Sequence, residues 1–235
     1  HTYIAAMIPG LARRLIDTYA PPRGTVLDPF CGGGAVLVET VLSHRTAIGH
    51  DINELALLVS KSKTTHIERG VLESVGNDIL TNAKQYSGPA ITFDKPENVD
   101  YWFKPYMFAP LTALRVSIDK IQDERVRQLF QVLLSATARN VSLTYRNEIR
   151  LRRMTAEEQK SFNPDVFAKF QDKLADAIAR VPNIPVDSHA EITKLDIKNL
   201  QLPQYKDIAD AIVCSPPYGD ERNGVPYTQF AKNML

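Results

Sequence analysis

Residues 26–39, Val-Leu-Asp-Pro-Phe-Cys-Gly-Gly-Gly-Ala-Val-Leu-Val-Glu, constrain this chain more than any other stretch. An apolar run ends in the carboxylate of Asp28, passes through a turn of small residues, and re-emerges as an apolar repeat at helical spacing. Strand, glycine turn, helix is the pattern of a nucleotide-type cofactor site at the first crossing of a parallel sheet. The glycines let backbone N–H groups approach a ligand closely, and the following helix offers its positive end to an anion. The spacing fits neither G-x-G-x-x-G nor G-x-x-x-x-G-K-S/T, which disfavours a dinucleotide or a nucleoside triphosphate. The competing interpretation is a tight strand-to-helix turn with no ligand.

Composition narrows the setting. At 235 residues and 44% hydrophobic, the chain is long enough for one large domain or one domain with a substantial insertion. No apolar run reaches the ~18 residues of a membrane span and nothing resembles a signal peptide, so a cytoplasmic protein is expected. Cys31 and Cys214 are expected as reduced thiols. The five histidines are scattered without ligand spacing, and no metal is expected. A net charge of +1 does not announce nucleic acid, so such a partner would have to meet a local basic patch.

Taken in order, residues 9–19 carry apolar positions at helical spacing, with Pro9 tolerated in the first turn. Residues 25–28 read as the first strand and 35–43 as the helix after the glycine turn. Residues 46–51 read as a second buried strand ending in Asp51. That acid lies roughly 20 residues beyond the glycine turn, where a carboxylate accepts hydrogen bonds from ribose hydroxyls. The alternative for Asp51 is a helix cap, because Asp51 and Asn53 precede the apolar repeat Leu55, Leu57, Leu58, Val59.

From about residue 71 the text becomes amphipathic and helical, with helices expected over 109–121, 124–141 and 164–179. The last is opened by Asn163 as cap and Pro164 in the first turn. A simple crossover needs far fewer residues than this, so 71–185 is expected as an inserted helical subdomain. Residues 1–70 and 186–235 then form the sheet-bearing part. Residues 191–196 read as a strand ending in Asp196, an acid well placed for a cofactor's adenine amino group. Asp78 is its weaker rival, because it sits inside a helical pattern with no strand before it. Residues 208–214 read as a further strand, which runs into Ser215-Pro216-Pro217-Tyr218.

That second motif carries the most specific chemistry. A cytosine or adenine amino group is a poor nucleophile because its lone pair is delocalised into the ring. A site that accepts both amino hydrogens draws the nitrogen toward tetrahedral geometry and frees the lone pair for a methyl donor. Here the acceptors would be the Ser215 hydroxyl and the Pro216 carbonyl, with Pro216 and Pro217 stiffening the loop. Tyr218 offers a flat face on which an extruded base stacks. A proline-stiffened surface turn is the alternative.

With Asp28-Pro29-Phe30-Cys31-Gly32-Gly33-Gly34 first and Ser215-Pro216-Pro217-Tyr218 last, the chain resembles the S-adenosylmethionine-dependent amino-methyltransferases of DNA, particularly the N4-cytosine type. The leading segment with Pro9 and Arg13, the stretches Asp51-Ile52-Asn53 and Lys61-Ser62-Lys63-Thr64-Thr65, and residues 162–167 are similar to the same family. The resemblance implies a Rossmann-like α/β methyltransferase fold, S-adenosylmethionine as cofactor, and methyl transfer to a flipped base in a restriction-modification or related defence system. Cytosine N4 is the expected target, ahead of adenine N6. It places Asp28 at the cofactor's ammonium end, Phe30, Gly32 and Gly34 along its walls, Asp51 at the ribose and Asp196 at adenine, with Cys31 and Ile52 also in contact with the cofactor. Ser215, Pro216, Pro217 and Tyr218 hold the target base. Residues 223–230 are expected to close over it, with Gly224 permitting the motion.

One departure stands out. The family's sheet has seven strands, whereas only four core strands are legible here, so a second polypeptide or a further C-terminal segment is expected to complete it. A C5-cytosine methyltransferase is excluded because it needs a Pro-Cys nucleophile and Cys214 follows Val213. The remaining alternatives are an RNA methyltransferase of the transfer-RNA guanine-N2 kind, which usually carries Asp at the Ser215 position, and a cofactor-binding subunit of a split enzyme whose partner recognises DNA. Arg146, Arg150, Arg152 and Arg153 form a candidate phosphate-contacting patch around Tyr145, weighed equally against a solvated loop paired to Glu148, Glu157 and Glu158.

Overall fold

A computed structural model of the chain describes residues 6–86, 99–145, 152–200 and 206–217. They fall into two compact units, one within Thr2–Ile67 together with Arg180–Val225, the other within Glu68–Ala179.

The first unit begins with helix α1 (Pro9–Tyr19), strand β1 (Thr25–Asp28), helix α2 (Ala35–Leu42), strand β2 (Thr46–Asp51) and helix α3 (Glu54–Thr64). In the second unit lie α4 (Arg69–Gln85), α5 (Val99–Trp102), α6 (Phe108–Asp119), α7 (Glu124–Val141), α8 (Ala156–Ser161) and α9 (Val166–Arg180). Strands β3 (Ala190–Lys194) and β4 (Ala211–Ile212) return the chain to the first unit.

The four strands form one parallel sheet in the order β3-β2-β1-β4. Register sets Val26 beside Ala47 and Ala211, and Ala47 beside Ala190. Side chains in register point to one face, and that face is apolar. On it Ala12 and Ile16 of α1, and Ala20 just after it, pack with Val26, Val36 and Val213. Beside them Leu37 and Val41 of α2 and Leu57 of α3 pack with Ala47 and Ile192. Burying these side chains stabilises the unit by roughly 1.5–3 kcal/mol for each large one.

Strand β4 is shorter than the residues 208–214 expected, yet its pairing extends beyond the strand. Asp210 N–H donates to the Thr25 carbonyl at 2.9 Å and Val213 N–H to the Leu27 carbonyl at 3.0 Å. The Asp210 carboxylate also accepts from Thr25 N–H at 2.7 Å, latching the start of β4 to β1.

The helical unit has its own core, in which Phe130 of α7 and Phe170 of α9 are fully buried and their ring centres lie 6.3 Å apart. Helix α7 spans the residues expected of it, because Asp123 caps both Arg125 and Val126 N–H. Helix α9 starts later than expected. The Asp165 carboxylate accepts from Phe167 and Ala168 N–H, so Asp165 does the capping, while the Asn163 amide oxygen instead accepts from the Lys104 ammonium at 2.9 Å. Asp78 lies in the middle of α4, as its pattern implied.

Candidate active site

Because the sheet is wholly parallel, all four strands end at one edge. Asp28 closes β1, Asp51 closes β2, Asp196 follows β3 by two residues, and Ser215 follows β4 by three. In open α/β sheets this carboxyl edge is where ligands bind. The glycine turn leaves β1 and the Ser215 segment leaves its hydrogen-bonded neighbour β4, so both motifs start side by side.

Asp28 is 3% exposed and accepts from Phe30 N–H at 3.1 Å. Burial pushes its carboxyl up to about 7, the Phe30 hydrogen bond pulls it partly back, and the negative charge of Asp51 adds to the rise. Burial likewise raises the Cys31 thiol, with Asp51 and Asp28 reinforcing the effect. Cys31 and Cys214 are both free thiols, and burial and then the charge of Asp28 raise Cys214 as well.

The glycine turn uses its own N–H groups more than the sequence suggests. Gly32 N–H donates to the Asp51 carboxylate at 2.9 Å, Gly34 N–H to the Cys31 carbonyl at 2.8 Å, and Cys31 N–H to the His50 carbonyl at 2.9 Å. These bonds fix the shape of the turn. Gly34 has φ of 75°, and a Cβ there would stand 2.8 Å from the Ser60 Cβ. Both the left-handed backbone and the close approach of α3 require glycine.

Asp51 and Asn53 divide the two roles considered for the acid. Asn53 is the N-cap of α3, accepting from Leu55 N–H at 3.0 Å. Asp51 accepts from Gly32 N–H through one oxygen and from Asn53 N–H, at 2.8 Å, through the other. It ties the turn to the end of β2 and keeps further lone pairs for a ligand's hydroxyls. Its neighbour Ile52 is 66% exposed, an apolar side chain held in solvent at the carboxyl edge. Asp196 is exposed and accepts from Lys198 N–H at 3.0 Å, and Leu195 N–H donates to the Asp51 carbonyl at 3.1 Å, which keeps the ends of β2 and β3 together. Phe30 is half-buried at the head of the turn and Ser215 half-buried after β4.

Three contributors had no role assigned to them from sequence. Lys63 on α3 donates to the Gly33 carbonyl at 2.9 Å. Ser60, one helical turn earlier, lies under Gly34. Gly49 in β2 leaves the space occupied by Leu37 and Cys31, since a Cβ there would stand 3.2 Å from the Cys31 Cβ. The small residues were visible, but which helix approaches the turn was not encoded in any local spacing.

Two arginines of the candidate phosphate patch rest on tyrosine rings of the helical unit. The Arg152 guanidinium lies 4.1 Å from the Tyr145 ring centre and that of Arg153 4.2 Å from the Tyr101 ring centre. The Tyr145 hydroxyl donates to Glu158 at 2.7 Å. Tyr218, Arg146, Arg150 and residues 223–230 lie outside the described residues. Among the described residues no helix is long and apolar enough to cross a membrane.

The ligand that suits this edge follows from its charges. Two carboxylates at adjacent strand ends, one of them buried, disfavour a phosphate and favour a cation beside sugar hydroxyls. An exposed isoleucine alongside suits a flat apolar ring. An aminoacyl-nucleoside with a positive ammonium has those parts. The comparisons with known proteins agree in kind. Residues 3–62 match the family model for N6/N4 methyltransferases, described as DNA methylase. The chain is 31% identical to the type II methyltransferase M.MvaI of Kocuria varians, over 99% of this chain and 55% of that protein. It therefore spans about half the length of that relative.

Proposed function

We propose that this chain is an amino-methyltransferase of the N6/N4 DNA methylase kind, and that it transfers a methyl group to the exocyclic amino group of a base in DNA, cytosine N4 in particular. The fold is the Rossmann-like methyltransferase sheet, and members of the family take their methyl group from S-adenosylmethionine. The observation that carries the proposal is the adjacency of the Asp28–Gly34 turn and the Ser215 segment at one sheet edge.

When bound, S-adenosylmethionine supplies an electrophilic methyl on a positively charged sulfur. Asp28 faces the ammonium, and ionises as that positive charge arrives. Phe30, Cys31, Gly32 and Gly34 form the walls. Asp51 accepts from ribose hydroxyls with the lone pairs left by Gly32 and Asn53, Ile52 lies against adenine, and Asp196 accepts from the adenine amino group. The Ser215 hydroxyl and the Pro216 carbonyl each accept an amino hydrogen of the target base, Pro217 stiffens the loop, and Tyr218 stacks on the base. The Ser215 hydroxyl holds one amino hydrogen by a hydrogen bond, and the surplus proton is released to solvent water. No side chain of this protein forms a covalent bond to the base. Serine at the head of the second motif favours cytosine N4 over adenine N6.

The helical residues 71–185 are the DNA-recognition part of this account, with Arg152 and Arg153 contacting phosphates. Strand β4 has a strand neighbour on one side only among the described residues. Another polypeptide segment pairs along its open side, as the greater length of the relative suggests. The name of that relative also favours a restriction-modification setting, with the methylation protecting a recognition sequence.

The test is transfer of labelled methyl to duplex DNA and, in parallel, to transfer RNA, followed by nucleoside analysis. Label in N4-methylcytosine of DNA is expected. Label in N6-methyladenine would correct the target base, and label in transfer RNA alone would overturn the assignment to DNA.

A further inference from the structure

Helix α3 does more than cover the sheet. Its residues Ser60 and Lys63, three apart and so on one face, both meet the glycine turn. Ser60 is fully buried, its hydroxyl donates to the Leu57 carbonyl at 3.1 Å, and it fills the space in which Gly34 has no side chain. The Lys63 ammonium reaches the Gly33 carbonyl at 2.9 Å. We propose that Lys63 is a positioning residue for the cofactor turn, holding the Gly33 peptide in the orientation that lets Cys31 to Gly34 close around the ligand. The inference rests on the methyltransferase function proposed above and adds to it a residue that touches neither cofactor nor base.

The surroundings of Lys63 argue against a merely space-filling part. Among the described residues no carboxylate pairs with it, and the nearby charge is the like charge of Arg180. Burial, and then Arg180, lower its ammonium to about 8. An unbranched apolar side chain would pack against the turn without that penalty. What the ammonium adds is a charge-assisted hydrogen bond to one carbonyl, about twice as strong as a neutral one. The Gly33 carbonyl belongs to a three-glycine run, where the backbone has the fewest conformational restraints of its own. A turn of that kind needs outside anchors, and it has three: Asp51 at Gly32, Ser60 under Gly34, and Lys63 at Gly33.

The experiment compares the wild-type chain with Lys63→Met and Lys63→Arg. Binding of S-adenosylhomocysteine is measured by calorimetry, thermal stability by melting, and turn order by hydrogen exchange at the Gly32 to Gly34 amides. Lys63→Met is expected to melt no lower than wild type, to bind about tenfold or more weakly, and to exchange faster at the turn alone. Lys63→Arg, which can still donate to the carbonyl, is expected to restore most of the affinity. Unchanged affinity in Lys63→Met, with wild type binding normally, would overturn the inference and leave the function standing. No binding by the wild-type chain would overturn the function and this inference with it.

Discussion

A carboxyl such as Asp28, 3% exposed at the end of a strand, faces opposite demands from folding and from its ligand. Its folded value of about 7 lies above the ordinary 3.8. The folded state therefore holds the proton more tightly than the unfolded one. The stability linked to this group is complete below about pH 4 and is lost as pH rises through about 7. Asp28→Asn, which never ionises, should gain on wild type across that range, by at most about 4 kcal/mol above pH 7. Urea melts from acid to mildly alkaline pH would show the difference, and parallel curves at all pH values would contradict it. The same variant should lose the cofactor. In wild type, affinity for S-adenosylhomocysteine should rise from about pH 6 to about pH 8, with proton release on binding. Much at this scale was legible in advance: Asp28, Asp51, Asp196 and Ser215 all stand at the sheet edge that the strand pattern implied. What spacing did not reveal is how Asp51 and Asn53 share their work, since a ribose ligand, a cap and a tie to Gly32 all ask for a short acceptor at nearly the same position.

At the scale of elements, the glycine turn is a joint between β1, α2 and α3. Gly34→Ala would put a Cβ against Ser60 in a left-handed residue, and should lower stability by about 2 kcal/mol or more, with cofactor affinity falling alongside. Stability equal to wild type would mean that α3 does not bear on the turn. The latch between Asp210 and Thr25 allows a second check. Asp210→Ala leaves the Thr25 N–H without that acceptor and should lower stability by about 1–3 kcal/mol, read as a shift in the urea midpoint. Helix and strand positions were readable from periodicity because one face of each element is apolar. The start of α9 was misplaced because Asn163 and Asp165 are both good caps, and the competition was decided by Lys104, far away in the chain. The brevity of β4 was not readable either, because its apolar centre continues past the two residues that form the ladder.

For the molecule as a whole, the sheet unit carries both motifs and the helical unit carries the arginine–tyrosine pairs. If Arg152 and Arg153 contact phosphates, replacing both with alanine should flatten the salt dependence of DNA binding by about 0.9 log unit per lost contact. An unchanged slope would remove them from the footprint. The open side of β4 bears on assembly: full activity of this chain as an isolated monomer would contradict the proposed pairing of a further segment there. The most direct measurement pairs two variants with two readouts, cofactor affinity by calorimetry and single-turnover methylation of DNA at saturating cofactor. Asp51→Ala should weaken cofactor binding about tenfold or more and leave saturated turnover largely intact. Ser215→Ala should bind cofactor as wild type does and lose most of its turnover. If both variants lost binding together, or if Ser215→Ala methylated DNA at the wild-type rate, the division of labour between the two loops would be wrong.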